Sequence, residues 1–167
     1  MVKSKQVVIV LSVIVIGVIL FFFFFQSEER QVRKRFKTFA QTASKRVEDS
    51  QLIVAGKSKK ISKYFAQSCQ IEAPEYNVSR NYSQADIHTI AFQVLTRHSE
   101  LKVTFVDLQV EIPEKGIATA ISIVRILGKV KRGEEYVEEN HEIDCQLKKI
   151  DEEWVFVKIE LVDVLKK

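Results

Sequence analysis

Cysteine occurs only twice in the 167 residues, which excludes a disulfide-stapled scaffold. Two prolines and five glycines leave no stretch that reads as a flexible linker. Three histidines, at 88, 98 and 141, show no Cys/His spacing of the finger type, so no metal is expected. A glycine-rich phosphate loop is also missing, and no cofactor is expected. The basic residues lack the interleaved aromatics of a nucleic-acid platform, so no nucleic acid is expected as a partner. What is present is a chain of one-domain length, 46% apolar and 29% charged. That balance excludes both disorder and a multi-span membrane protein.

The charges are unevenly spread. Residues 6–25 carry none, residues 26–67 hold 11 Lys and Arg against 4 Asp and Glu, and residues 68–167 hold 13 against 18. In the uncharged part, Val7 to Phe25 has Ser12 as its only polar side chain. Nineteen helical residues span roughly 29 Å, close to the ~30 Å hydrocarbon layer of a bilayer. A cleaved signal peptide is the competing reading. Its apolar stretch would be about 7–15 residues before a small-residue site. Here the run is longer and ends Phe-Phe-Phe-Phe-Phe-Gln-Ser-Glu-Glu. The expected organisation is therefore a short basic leader (1–5), a transmembrane anchor in the bilayer (6–25) and a folded domain (26–167). Orientation draws on two opposed signals. Arg30, Arg33, Lys34, Arg35 and Lys37 after the span favour a cytoplasmic domain. A short leader before a long apolar run has the form of a signal anchor, and on that ground the domain is expected outside the cytoplasm, periplasmic in a bacterium.

Beyond the anchor, Val32, Phe36, Phe39, Ala40, Ala43 and Val47 make one stripe of a helix from Ser27 to about Val47. A second helix is expected over about Gln51–Gln67. Its lysines 57, 59, 60 and 63 read as a solvated face, or as contacts to anionic headgroups. Cys69–Ala73 reads as a short strand and Pro74–Tyr82 as a loop. Ser83 with Asp86 forms a capping box that starts a third helix, whose stripe Ile87, Ile90, Ala91, Val94, Leu95 ends at His98. Four alternating strands follow, Leu101–Ile112, Ile117–Val130, Tyr136–Ile150 and Trp154–Leu165, separated by turns at Pro113–Gly116, Lys131–Gly133 and Asp151. The fold class is α+β: three helices packed on a curved antiparallel sheet of four to five strands, cone-like, behind one transmembrane helix.

That order, with three local sequences, resembles the nuclear transport factor 2-like (SnoaL-like, cystatin-like cone) superfamily. SKKISKYFAQSCQIEAP resembles its second helix passing into its first strand, and LKVTFVDLQVEIPEKGIATAISIVRI its long hairpin. HEIDCQLKKIDEEWVFVKIELVDVL resembles its closing hairpin. The resemblance covers about residues 28–166 and implies a cavity between sheet and helices. Enzymes of the superfamily work there with an Asp or a His–Asp pair and a Tyr or acid. This chain departs from that pattern. Its first helix has no Tyr or His, with only Asp49 near its end, and the short strand offers only Glu72 as a base.

The candidate lining residues of such a cavity are Tyr64, His88, Phe92, Asp107, His141 and Trp154. Three of them also have a purely structural reading: His141 as a half-buried strand residue, His88 as an exposed first-turn residue, Trp154 as core. His141 and Cys145 stand about 13 Å apart along a regular strand and cannot form a nucleophile–base pair. Cys69 and Cys145 are expected either as two buried thiols or as one bridge. With so few groups for catalysis, the expected function is a membrane-anchored interaction or assembly module, non-enzymatic, meeting a protein partner or a second copy through its sheet. The alternative is a small apolar-ligand binder, or an isomerase- or cyclase-like enzyme, using the cone.

Overall fold

The computed structural model describes residues 28–131 and 135–162, together with Ile14. Apart from Ile14, the expected anchor and leader lie outside the described residues. Among the described residues no helix is long and apolar enough to cross a membrane.

Residues 28–43 form helix α1, with Val32, Phe36 and Ala40 turned into the core. The stripe was expected to run on to Val47, which instead is 71% exposed. The helix stops where Lys45 leaves the helical bonding pattern, the Ser44 N–H being the last to donate back to Ala40. The Ser44 hydroxyl donates to the Ala40 carbonyl and accepts the Val103 N–H, while Lys45 exchanges two backbone hydrogen bonds with Leu101. Helix α2 (Gln51–Ser62) also ends earlier than expected. Lys63 and Tyr64 donate to Lys60 and Ile61 carbonyls in a tightening turn, and the Phe156 N–H then takes the Tyr64 carbonyl into the sheet.

Among the described residues six strands follow, not four or five: β1 (Phe65–Ala73), β2 (Val78–Ser83), β3 (His98–Glu114), β4 (Ile117–Val130), β5 (Tyr136–Ile150) and β6 (Glu153–Val162). The unexpected one is β2, in the segment read as a loop. A 3-10 turn at Pro74–Tyr76 and Asn77 in the left-handed region (φ 53°) reverse the chain, so that Ala73 faces Val78 and Cys69 faces Tyr82. Asn tolerates that conformation better than most residues. Helix α3 (Gln84–Arg97) starts at the expected capping box: Ser83 Oγ accepts the Asp86 N–H, and the Asp86 carboxylate accepts the Ser83 N–H.

The sheet order is β2-β1-β6-β5-β4-β3. All neighbours are antiparallel except β1 and β6, which run parallel. Helices cover the inner face, where Phe36 sits edge-on to Phe105 (5.0 Å) and Phe156 (5.2 Å). Ala118 and Ala120, buried opposite Leu147 and Cys145, leave room on β4 for the helices.

Both cysteines are free and buried. Strand β6 lies between Cys69 on β1 and Cys145 on β5, and two strand spacings of about 4.8 Å exceed the ~7 Å limit for a bridge. Burial pushes the Cys69 thiol up to about 11, and burial with the nearby Asp144 charge pushes Cys145 up as well. The folded chain is therefore expected to resist iodoacetamide at pH 8, and both thiols to react once it is unfolded in urea. Labelling of the folded chain at the rate of free cysteine would contradict this.

Candidate functional site

Between α3 and the far half of the sheet lies a cavity of about 460 Å³. Helix α3 contributes Ile87, Ala91 and Leu95, and α1 contributes Phe39 and Ala43. The sheet side is built by Leu101 and Val103 of β3 and by Val124 and Ile126 of β4. These are alternate, inward positions, paired Val103 to Ile126 and Leu101 to Gly128. Among the described residues, two ionisable side chains belong to the wall, His98 and Glu139.

His98 ends α3 and begins β3. Its backbone N–H and its ring Nδ1 both reach the Val94 carbonyl, the ring at 2.8 Å. Its own carbonyl accepts from Lys45 Nζ at 2.5 Å, and the same ammonium reaches the Leu95 carbonyl at 2.8 Å. Lys45 is only 5% exposed. Burial, with the charges of Lys131 and Lys57, holds its ammonium below the ordinary lysine value against the pull of Asp49. Across the cavity wall, Gly128 supplies the space for the imidazole. A Cβ there would stand 2.9 Å from His98 Cδ2 and 3.1 Å from Leu101 Cδ1. Glu139 stands at the outer end of the wall, its side chain 57% exposed and 3.4 Å from His141 Nε2.

None of the six residues singled out from the sequence lies in this wall. Tyr64 is half-buried against the aromatic core, its ring 5.2 Å from Phe39 and under the Arg35 guanidinium, its hydroxyl 3.2 Å from Thr42 Oγ1. Trp154 is buried in the core with its indole N–H unpaired. His88 is half-buried on α3, and Phe92 is exposed on the same helix. Asp107 is exposed at a bulge of β3, in the left-handed region (φ 53°), where it re-aims the strand rather than serving the cavity. His141 comes nearest. It faces Val124 across β4–β5 on the cavity side of the sheet, but the wall is made by Glu139 and Val137, two and four residues away. Glu72 points to the opposite face, with Lys158 at 2.9 Å and the Gln70 amide at 2.7 Å.

A second cavity, about 850 Å³, runs between α1 and the edge strand β3 and is lined by Arg33, Lys37, Arg46, Lys57 and Lys102. Much of this charge is already satisfied. Arg33 holds Glu29 and the Leu108 carbonyl, and Lys57 holds Asp49 at 2.5 Å. Burial works to raise the Asp49 carboxyl, but the Lys57 and Arg46 hydrogen bonds outweigh it and hold the group below its ordinary value. Among the described residues, no group of three or more His, Cys, Asp or Glu could hold a metal ion. The first cavity is thus an apolar container with one imidazole in its wall and one carboxylate at its rim.

No protein-family model matches the sequence, and comparison with curated protein sequences finds no match. Solved structures do match. A protein of Kribbella flavida superposes with a TM-score of 0.68 at 11% identity, covering 85% of this chain and 95% of that one. A nuclear transport factor 2-like protein with a cystatin-like fold from Novosphingobium aromaticivorans gives 0.63 at 12% identity, over 85% and 86%. A protein described as a candidate scytalone dehydratase from the same organism gives 0.68 at 12% identity, over 81% and 83%. At these identities the likeness establishes the fold: a nuclear transport factor 2-like cone.

The Gly128→Ala substitution tests the packing of the wall. The added methyl would push against the imidazole and Leu101, and a loss of about 1–3 kcal/mol is expected in urea unfolding followed by the sole tryptophan. Unchanged stability would contradict the close approach of His98 to β4.

Proposed function

We propose that this chain is a non-enzymatic, membrane-tethered binding module whose cone takes one small apolar molecule. The observation that carries the reading is the composition of the cavity wall: aliphatic and aromatic side chains throughout, with a single imidazole and one exposed carboxylate. A volume of about 460 Å³ falls within the range of small-molecule sites. Proton abstraction with elimination would call for an acid or hydroxyl beside the base to protonate the leaving group. The His98 imidazole is oriented only by the Val94 carbonyl, and among the described residues no Asp or Tyr lines the wall beside it. The dehydration suggested by the description of one neighbour is therefore not carried over to this chain.

Tethering rests on the sequence alone: the run Val7–Phe25 carries no charged side chain and is long enough to cross a bilayer as a helix. The domain then works beside a bilayer, on its extracytoplasmic side in the reading adopted above. The outer face of the sheet, where Ile121 stands exposed, is left to a protein partner or a second copy.

Titration of the full chain in zwitterionic micelles with tert-butylbenzene is expected to shift the methyl resonances of Val103, Val124 and Leu95. Ile126→Trp, which fills the cavity from β4, is expected to abolish those shifts while the protein stays folded. Absence of any shift at these methyls in the wild type would defeat the binding reading. The tether is checked in native membranes. The chain is expected to stay in the pellet after alkaline carbonate and to give discrete crosslinked adducts, whereas recovery in the supernatant would refute it.

A further inference from the structure

We infer that His98 Nε2 is the hydrogen-bond acceptor of the cone, and that the cone's occupant is accordingly an apolar molecule bearing a hydroxyl or N–H group. The inference rests on the reading of the cavity as a ligand site, and it specifies the ligand's chemistry.

The argument starts from what a carbonyl can do. The Val94 oxygen only accepts, so Nδ1, 2.8 Å away, must be the nitrogen that carries the hydrogen. In the neutral ring the lone pair then lies on Nε2. Three further constraints hold the ring in that pose. The His98 backbone N–H donates to the same Val94 oxygen, and Lys45 grips the His98 carbonyl. The Cδ2–Nε2 edge lies over Gly128, where a Cβ would come within 2.9 Å of Cδ2 and 3.3 Å of Nε2. Only glycine at that place on β4 lets the ring occupy the wall.

Among the described residues, no other side chain of the enclosed wall carries a hydrogen-bonding group. Glu139 is mostly exposed and turned toward His141. A ligand donor placed at Nε2 gains a hydrogen bond beside an otherwise apolar wall, whereas a ligand carrying only carbonyl or ether oxygens would set lone pair against lone pair. Apolar bulk fills the cone and one donor fixes its orientation. His98 is thus a specificity-determining residue, and no covalent step is attached to it.

The test compares 4-tert-butylphenol with tert-butylbenzene, two probes that differ by one hydroxyl, on the full chain in zwitterionic micelles. Affinities are read from methyl shifts and corrected for partition into protein-free micelles. The wild type is expected to prefer the phenol roughly five-fold, the size of one net hydrogen bond. His98→Phe removes the acceptor, and is expected to bring the ratio of the two affinities to about one; the ratio, and not either affinity alone, is the readout. A second measurement needs no variant: nitrogen-15 spectra of the wild-type imidazole should show Nδ1 protonated and Nε2 bare, with Nε2 shifting on addition of the phenol and not of the hydrocarbon. Equal affinities for the two probes in the wild type, or a bare Nδ1, would overturn this inference and leave the cavity as a ligand site. Failure of both probes to bind would overturn that reading as well.

Discussion

The buried ammonium of Lys45 is the point on which the site depends. A charge taken out of water is costly unless it is well partnered. Here the partners are the carbonyls of Leu95 and His98, where α3 gives way to β3. Carbonyls at a helix C-terminus carry the negative end of its dipole and lack intrahelical donors, so one lysine satisfies what the helix leaves open. The backbone of the same residue pairs with Leu101. One residue thereby joins the end of α1, the end of α3 and the start of β3, and these three elements form one end of the cone. The position of the His98 ring follows from that junction.

Much of the fold was legible because its signals are local. The four long strands alternate and are separated by residues that reverse the chain, and the capping box at Ser83 marks the start of α3. Strand β2 was not legible. Arg80 interrupts the face that Val78 and Tyr82 share, so no alternation shows, and pairing with β1 makes it a strand. The end of α1 was missed for a related reason: Val47 continues the helical period, but Lys45 is drawn away by β3, more than fifty residues further on. Tertiary partners override period wherever a backbone group has a better bond elsewhere.

The cavity was less legible than the fold. Its wall is made of the same residue types as the core, and pattern alone does not distinguish a valine facing a void from one facing a phenylalanine. Polar and aromatic residues attracted attention instead, and the structure uses Tyr64 and Trp154 as packing and Asp107 as a bulge. His98 could have been found from its place at the end of the α3 stripe. Its acceptor role depends on the Val94 carbonyl and on the missing side chain at Gly128, neither of which spacing reveals. The basic stretch resolved unevenly: Lys57 is tied to Asp49, while Lys59, Lys60 and Lys63 are exposed.

The parallel seam between β1 and β6 has a temporal consequence. Hairpins such as β3–β4 and β4–β5 can zip from their own turns, since their partners are neighbours in the chain. The seam joins Ile71 to Ile159, so most of the domain must be in place before it can close. On an emerging polypeptide, β1 and β2 would wait as an unfinished ribbon until the final strand leaves the ribosome. The contact of Phe36 on α1 with Phe156 likewise needs that last strand, so one end of the chain waits on the other.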